Sequence, residues 1–404
     1  MAGPLSGIRA VEIGSLGPGP FCAMVLADLG ADVIRVDRAS GGGLVGPSAN
    51  YRTELLNRGR RSIAVDLKHP RGVEVVLELV EHADALIEGF RPGVTERMGI
   101  GPDVCLARNP RLIYGRMTGY GQDGPMAQAV GHDLSYVALS GVLSMVGRRG
   151  QPPTPPLSLV GDFGGGGLLL ALGILAALVE RGASGRGQVV DAAMTEGAAL
   201  LATVFFGYLQ TGEWDPERGT NLVDGGAPFY DAYETSDGRW LSVAALEPHF
   251  YANLLELLGI TDEAVADQRD RSRWPQVKER FAAAIRGRTR DEWRAAAEGV
   301  EACVAPVLTF EEVEDDPHLK ARSAFVRNDG LLQPGPAPKF SRTPAELSYR
   351  PPVPGEHTAE ALADWGFTDE RIAELTEQRA IGRWTDDGAA AAGRSERPAR
   401  IESR

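Results

Sequence analysis

The sequence predicts an α/β protein: a large domain built on a doubly wound, mainly parallel sheet, with a smaller α+β domain after it. Two observations predict this. From Ile8 to Met117, short apolar runs alternate with helix-period segments, the pattern of a parallel sheet with crossover helices. From Tyr230 the pattern changes to two β-rich runs joined around Asp237-Gly238, a hairpin signal, and helices then follow in succession.

Ile8 to Ile13 reads as the first strand; the turn GSLGPGP leads into a helix from Phe21 to Leu29, stopped by Gly30. Strands follow at Asp32–Asp37, Ser62–Leu67, Ala85–Glu88 and Leu112–Met117, with a helix from Pro70 to His82. The Gly- and Ser-rich stretch from Ser40 to Asn50 reads as a mobile loop. His132 opens a helix-period segment (Leu134, Val137, Leu139, Val142, Leu143), and Leu157 to Val160 reads as an extended run before Asp162. The apolar stretch Phe163–Val179 is short for a membrane span and reads as a buried core helix. GQVVDAA is a strand leading into one helix from Met194 to Thr211.

These elements place the large domain at residues 1–211, a polar linker at 212–225 and the small domain at 226–322. The small domain carries strands at Tyr230–Thr235 and Arg239–Ala244, with helices at Pro248–Leu258, Trp274–Arg286 and Arg290–Glu298. Residues 323–382 form a return segment that completes the large domain. It has Pro-marked extended pieces (334–338 and 351–354) and helices at Ala359–Trp365 and Asp369–Gln378. Residues 383–404, nearly devoid of large apolar side chains, read as a disordered tail.

A chain of 404 residues has ample length for a sizeable core. Its net charge of −13 argues against nucleic acid or an anionic membrane as partner. Cys22, Cys105 and Cys303 have no paired spacing, so neither a disulfide framework nor a zinc site is expected and a reducing cytoplasm fits. Met1 to Gly19 has no basic stretch followed by a long apolar core, so no signal peptide is expected.

Two proton carriers stand where loops turn into helices: His132 after Gly131, and Asp162 before four glycines. A helix start offers unpaired N–H groups and partial positive charge, which can stabilise an oxyanion. Taken singly, His132 could be structural and Asp162 an N-cap. Four glycines beside a carboxylate imply close approach by a ligand or another backbone. Arg35, Arg38, Arg58, Arg60, Arg61, Lys68, Arg91 and Arg97 recur near strand ends, which points to a phosphate-bearing ligand. The turn GSLGPGP lacks the G-x-G-x-x-G order and holds prolines where N–H donors are needed, so a nicotinamide nucleotide is a weak alternative.

From Leu5 to about Ala380 the chain resembles the family III CoA-transferase superfamily and, within it, the α-methylacyl-CoA racemase branch. The resemblance is carried by LSGIRAVEI, LGADVIRVDR, IEGFRPGVTERMGIGP, RLIYGRMTGYGQDGP, GHDLSY, LVGDFGGG, SGRGQVVDAAM, DGGAPFYDAYETSDGRWLSV, LEPHFY and ACVAPVL. It implies an interlocked homodimer whose active sites are shared between subunits. It implies Asp162 as a nucleophile in the transferases and an acid/base in the racemases, and His132 as the residue that separates the two. It places Glu247 behind His132, and CoA contacts at Arg38, Val65, Asp66, Leu67, Lys68, Gly89, Phe90, Arg91, Arg97, Gly131 and Tyr136.

The reaction implied is inversion at the α-carbon of a 2-methylacyl-CoA through an enolate. His132 would serve the (S) face, Asp162 the (R) face, and the Asp133 N–H the oxyanion, with no cofactor beyond the thioester substrate. Branched fatty acyl, sterol side-chain and arylpropionyl thioesters are all compatible, with Ile13, Leu16 and Val204 as candidate pocket residues. The competing reading is a CoA-transferase with Asp162 as nucleophile; a silent CoA-binding protein ranks behind it.

Overall fold

The computed structural model describes residues 3–39, 50–262, 265 and 267–382. The expected loop from Ser40 and the tail after 382 lie outside these residues. In chain order the elements are β1 (Arg9–Ile13), α1 (Pro18–Asp28), β2 (Asp32–Arg38), β3 (Arg61–Val65), α2 (Pro70–His82), β4 (Ala85–Glu88), α3 (Val94–Arg97), α4 (Pro102–Arg108) and β5 (Ile113–Thr118). Then come α5 (Asp133–Leu139), α6 (Val142–Met145), a π-helical segment (Val160–Leu168), α7 (Leu169–Ser184), β6 (Gln188–Ala193), α8 (Met194–Leu201) and α9 (Thr203–Thr211). The remainder is β7 (Tyr230–Glu234), β8 (Trp240–Ala244), α10 (Pro248–Leu258), α11 (Trp274–Ile285), α12 (Arg290–Ala296), β9 (Val304–Pro306), α13 (Pro317–Ala321), β10 (Phe325–Asn328), β11 (Leu331–Pro334), α14 (Thr358–Asp364), α15 (Asp369–Glu377) and β12 (Ile381–Gly382).

Among the described residues the chain forms two compact units. The first takes residues up to Tyr136, Ser158–Leu200 and those from His318 on. Its sheet has the order β12-β3-β2-β1-β4-β5-β6, parallel throughout except for β12. Strand residues alternate between two apolar layers. Val11, Ile13, Ile34 and Val36 pack with α2, α14 and α15 through Val76, Leu79, Leu362, Trp365 and Leu375. Ala10, Val33, Ala85 and Ile87 pack with α1 and α7 through Leu26, Leu170 and Ile174. Burial on both faces is why these strands read as continuous apolar runs.

The second unit takes Val137–Leu157 and Leu201–Pro317. Its antiparallel sheet β7-β8-β9 packs α10, α11 and α12 around Phe229, Tyr251, Trp274, Phe281 and Trp293. Gly238 takes the positive φ that the hairpin turn needs.

Four expectations are corrected. The stretch 212–225 is folded, not a linker. Asn221 is fully buried and bonds the N–H and C=O of Asp215, while the Asp224 carboxylate accepts from Gly219, Asn221 and Gly226. Polar residues that satisfy their own backbone look the same in sequence as a solvated linker. Residues 137–157 and 201–211, assigned to the large domain, belong to the second unit. The helix expected from Met194 to Thr211 is interrupted at Ala202. Leu157–Val160 is helical rather than extended, leading into the π-helical segment.

The apolar stretch Phe163–Val179 lies in a helical run, Leu157–Ser184, that is long and apolar enough to span a membrane by length and composition alone. Leu170, Ala171 and Ile174 are in the core, but Leu168, Leu172 and Val179 are 51%, 62% and 79% exposed. The helix is therefore buried on one side only.

The glycines after Asp162 answer to a neighbouring backbone. A Cβ on Gly197 would stand 1.8 Å from the Gly165 carbonyl oxygen, and one on Gly165 would stand 2.6 Å from the Ala198 nitrogen. Backbone meets backbone there, and no side chain can yield. Gly197→Ala is expected to cost about 3 kcal/mol or more, the upper range for overpacking, measured as the shift in urea midpoint. An unchanged midpoint would mean that the two segments are not in contact.

Candidate active site

Strands β1, β2 and β3 proceed outward on one side of β1, and β4, β5 and β6 on the other. The crevice beyond the C-terminal ends of β1 and β4 is thus the topological switch point, where ligands of such sheets bind. A cavity of about 230 Å³ opens there. Leu16, Gly17 and Pro18 come from the turn after β1, and Gly89, Phe90, Arg91 and Pro92 from the turn after β4. Met117, Thr118, Gly119 and Tyr120 come from the end of β5. Gly131, His132 and Tyr136 flank the start of α5, and Asp162 and Met194 complete the lining.

The two proton carriers face this one cavity. The His132 carbonyl accepts from Ser135 and Tyr136 at 2.8 and 3.4 Å, so α5 begins with His132 exposed at its start. The Asp133 N–H has no acceptor among the described residues, as expected for a first-turn donor. Its carboxylate is buried and accepts the Asp162 N–H at 2.8 Å, tying the two segments together. Gly17 adopts φ 66° at the N-terminus of α1; a Cβ there would stand 3.1 Å from Asp162 Oδ2.

Burial, and next the nearby Asp133 charge, push the Asp162 carboxyl up to about 6, against the pull of the Ser158 hydrogen bond and of His132. A carboxyl in that range exchanges protons readily near neutrality. Tyr136 is buried, its hydroxyl donating to the Gly131 carbonyl and its ring edge-on to Tyr120 at 4.9 Å.

Of the expected CoA contacts, Gly89, Phe90, Arg91, Gly131 and Tyr136 line the cavity. Arg38, Val65, Asp66, Leu67, Lys68 and Arg97 do not. Arg38 and Val65 are register partners at the ends of β2 and β3, but the Val65 side chain is buried in the core. Asp66 accepts the Lys68 N–H at 2.9 Å. Leu16 lines the cavity, whereas Ile13 packs into the core. Val204 belongs to the second unit. So does Glu247, which is exposed at the N-cap of α10 and makes no capping hydrogen bond.

The structure divides the basic cluster in two. Arg38, Lys68, Arg91 and Arg97 are exposed, and none forms an ion pair among the described residues. Arg35 and Arg60 instead grip the fully buried Glu12, Arg35 at 2.5 Å. Arg58 pairs with Asp28 at 2.7 Å, and Arg61 with Asp32 at 2.9 Å. These four neutralise carboxylates inside the protein and leave no charge for a phosphate.

Sequence reading missed Ser158, Met117, Tyr120 and Met194. Ser158 stands four residues before Asp162, a spacing that brings side chains together on a helix but not in the extended run that the sequence suggests. Among the described residues, no group of three His, Cys, Asp or Glu side chains could hold a metal ion.

Residues 5–358 match the profile of the CoA-transferase family III. The chain belongs to that family. It is 47% identical over 379 residues to the α-methylacyl-CoA racemase of Mus musculus and 46% identical to that of Homo sapiens; each comparison covers 93% of this chain and 97% of the relative. Among solved structures it resembles a CAIB/BAIF family protein from Brucella suis, with a TM-score of 0.78 and 29% identity over 90% of this chain and all of that one. The family III assignment agrees with the α/β fold and with the ten motifs quoted above.

Proposed function

We propose that this chain is an α-methylacyl-CoA racemase, interconverting (R)- and (S)-2-methylacyl-CoA. The observation that carries this reading is that His132 and Asp162 line one cavity at the switch point. Identity to the mammalian racemases over almost the whole chain supports it.

The proposed step is a 1,1-proton transfer. One group takes the α-proton from one face, leaving an enolate, and the other returns a proton to the opposite face. His132 acts on the (S) substrate and Asp162 on the (R). The Asp133 N–H donates to the enolate oxygen, where charge develops. No electrons leave the substrate, so the scheme needs no redox cofactor.

The exposed basic groups, Arg38, Lys68 and Arg91 after the strands and Arg97 at the end of α3, meet the CoA phosphates. Val65 to Leu67 contribute through their backbone, and Gly89, Phe90, Gly131 and Tyr136 form the wall. The active form is a cytoplasmic homodimer, in which Glu247 of the partner subunit orients and polarises His132. The exposed Leu168, Leu172 and Val179 supply apolar surface of the kind an obligate interface covers.

The test is (R)-2-methylacyl-CoA in deuterated buffer with no acceptor acid. Deuterium at the α-carbon together with loss of optical purity is the expected result. Transfer of CoA only after a free carboxylic acid is added, with no exchange before, would make Asp162 a nucleophile and overturn the racemase.

A further inference from the structure

Behind the cavity wall stands a charged residue that the reaction scheme does not use. Glu88 is the last residue of β4, immediately before the Gly89-Phe90-Arg91 turn that lines the cavity. It is 0% exposed, and both its oxygens are occupied. Oε2 accepts the Phe90 N–H at 2.7 Å, and Oε1 accepts the Arg116 Nε–H at 2.9 Å. Arg116 faces it across the β4–β5 ladder, is itself buried and reaches Glu96 at 2.9 Å. At the far end of the turn, Gln128 Nε2 donates to the Pro92 carbonyl at 3.1 Å.

We propose that Glu88 is a positioning residue for thioester binding: through the Phe90 N–H it fixes the turn that presents Arg91 and the cavity wall to the CoA moiety. This rests on the reading of the cavity as an acyl-CoA site.

The reason is the count of donors. A carboxylate offers only acceptors, and two N–H groups converge on it. A protonated or amide side chain brings a donor of its own, so one of the two bonds is lost. Burial pushes the Glu88 carboxyl up to about 7, opposed by the Phe90 N–H and by Arg116 on β5 and assisted by Glu96 on α3. Asp191, the partner of Arg116 on β6, shares this row, and Tyr114 lies two residues before Arg116 on β5, close enough to feel the Glu88 charge. The carboxylate is therefore present above about pH 7 and lost as pH falls through that value, and the turn should loosen with it.

The experiment measures binding of dephospho-CoA, whose pyrophosphate keeps a fixed charge between about pH 6 and 8, to the whole protein and to Glu88→Gln. At pH 8 the variant should bind about tenfold more weakly, the equivalent of ~1.4 kcal/mol. The ratio of the two dissociation constants should shrink toward one at pH 6, with turnover at saturating substrate unchanged. A ratio of one at pH 8, or a ratio constant with pH, would overturn the proposal. If the variant does not fold, the wild type decides: a dissociation constant that stays flat from pH 8 to 6 overturns it. Failure of the wild type to bind dephospho-CoA or CoA at any pH would instead remove the acyl-CoA reading, and this proposal with it.

Discussion

His132→Ala is expected to lower racemisation of 2-methylacyl-CoA by about 10³-fold, within the range for removing a positioned acid or base. The loss should be one-sided. Asp162 still faces the same cavity, held through its backbone by Asp133, and neither contact involves the His132 side chain. The (R) epimer should therefore still exchange its α-proton for deuterium, with retention of configuration, while exchange of the (S) epimer stops. The pH dependence of the surviving reaction has a definite sign. Asp162 must be ionised to act as base, so exchange should rise with pH through a limb at about 6 or above. Removing His132 moves the limb up rather than down, because the His132 charge is one of the influences that lower the carboxyl. Chiral analysis and mass spectrometry of the α-carbon read both outcomes. Racemisation at the wild-type rate would end the two-base scheme.

Asp162→Asn is the mirror case, with a loss of about the same size. Here (S) exchange through His132 survives and (R) exchange disappears. The substitution leaves the main fold contact intact, because Asp133 accepts from the backbone N–H of residue 162, not from its side chain. It also removes a charge that the folded state tolerates poorly. The Asp162 carboxyl lies at about 6 when folded against an ordinary value of 3.8. The folded wild type therefore loses stability as pH rises from about 4 through 6, and the penalty is complete above 6. The variant escapes it. Its melting temperature should match the wild type near pH 4 and exceed it at pH 8, an exchange of stability for activity. Unchanged turnover would remove Asp162 from the chemistry; identical melting curves at pH 8 would remove its buried charge from the stability.

Much of the first unit was legible because its strands are buried on both faces. Runs such as Arg9–Ile13 and Ile113–Thr118 are almost uniformly buried, and a local run of apolar β-formers reports that directly. The hairpin at Gly238 and the helix of the second unit starting at Pro248 carry equally local signals. The region before Asp162 does not. Leu157–Val160 follows a proline-rich stretch and looks extended. The segment that follows it packs Gly165 against the backbone of Gly197, a contact between distant parts of the chain, and the helical turn brings Ser158 to the Asp162 carboxyl.

The basic residues divide on the same principle. Arg35, Arg38, Arg60 and Lys68 look alike in sequence, as cations near strand ends. The alternation of strands and helices, the hairpin turn, His132 and Asp162 are readable because each is written in adjacent residues. The fate of a charge depends on what the fold brings to it from elsewhere. Glu12 lies 23 and 48 residues from Arg35 and Arg60, and Glu88 lies 28 from Arg116. Only the assembled sheet brings these pairs together, and desolvation then obliges each buried charge to find an opposite one. Arg38, Lys68, Arg91 and Arg97 stay exposed and, among the described residues, form no ion pair.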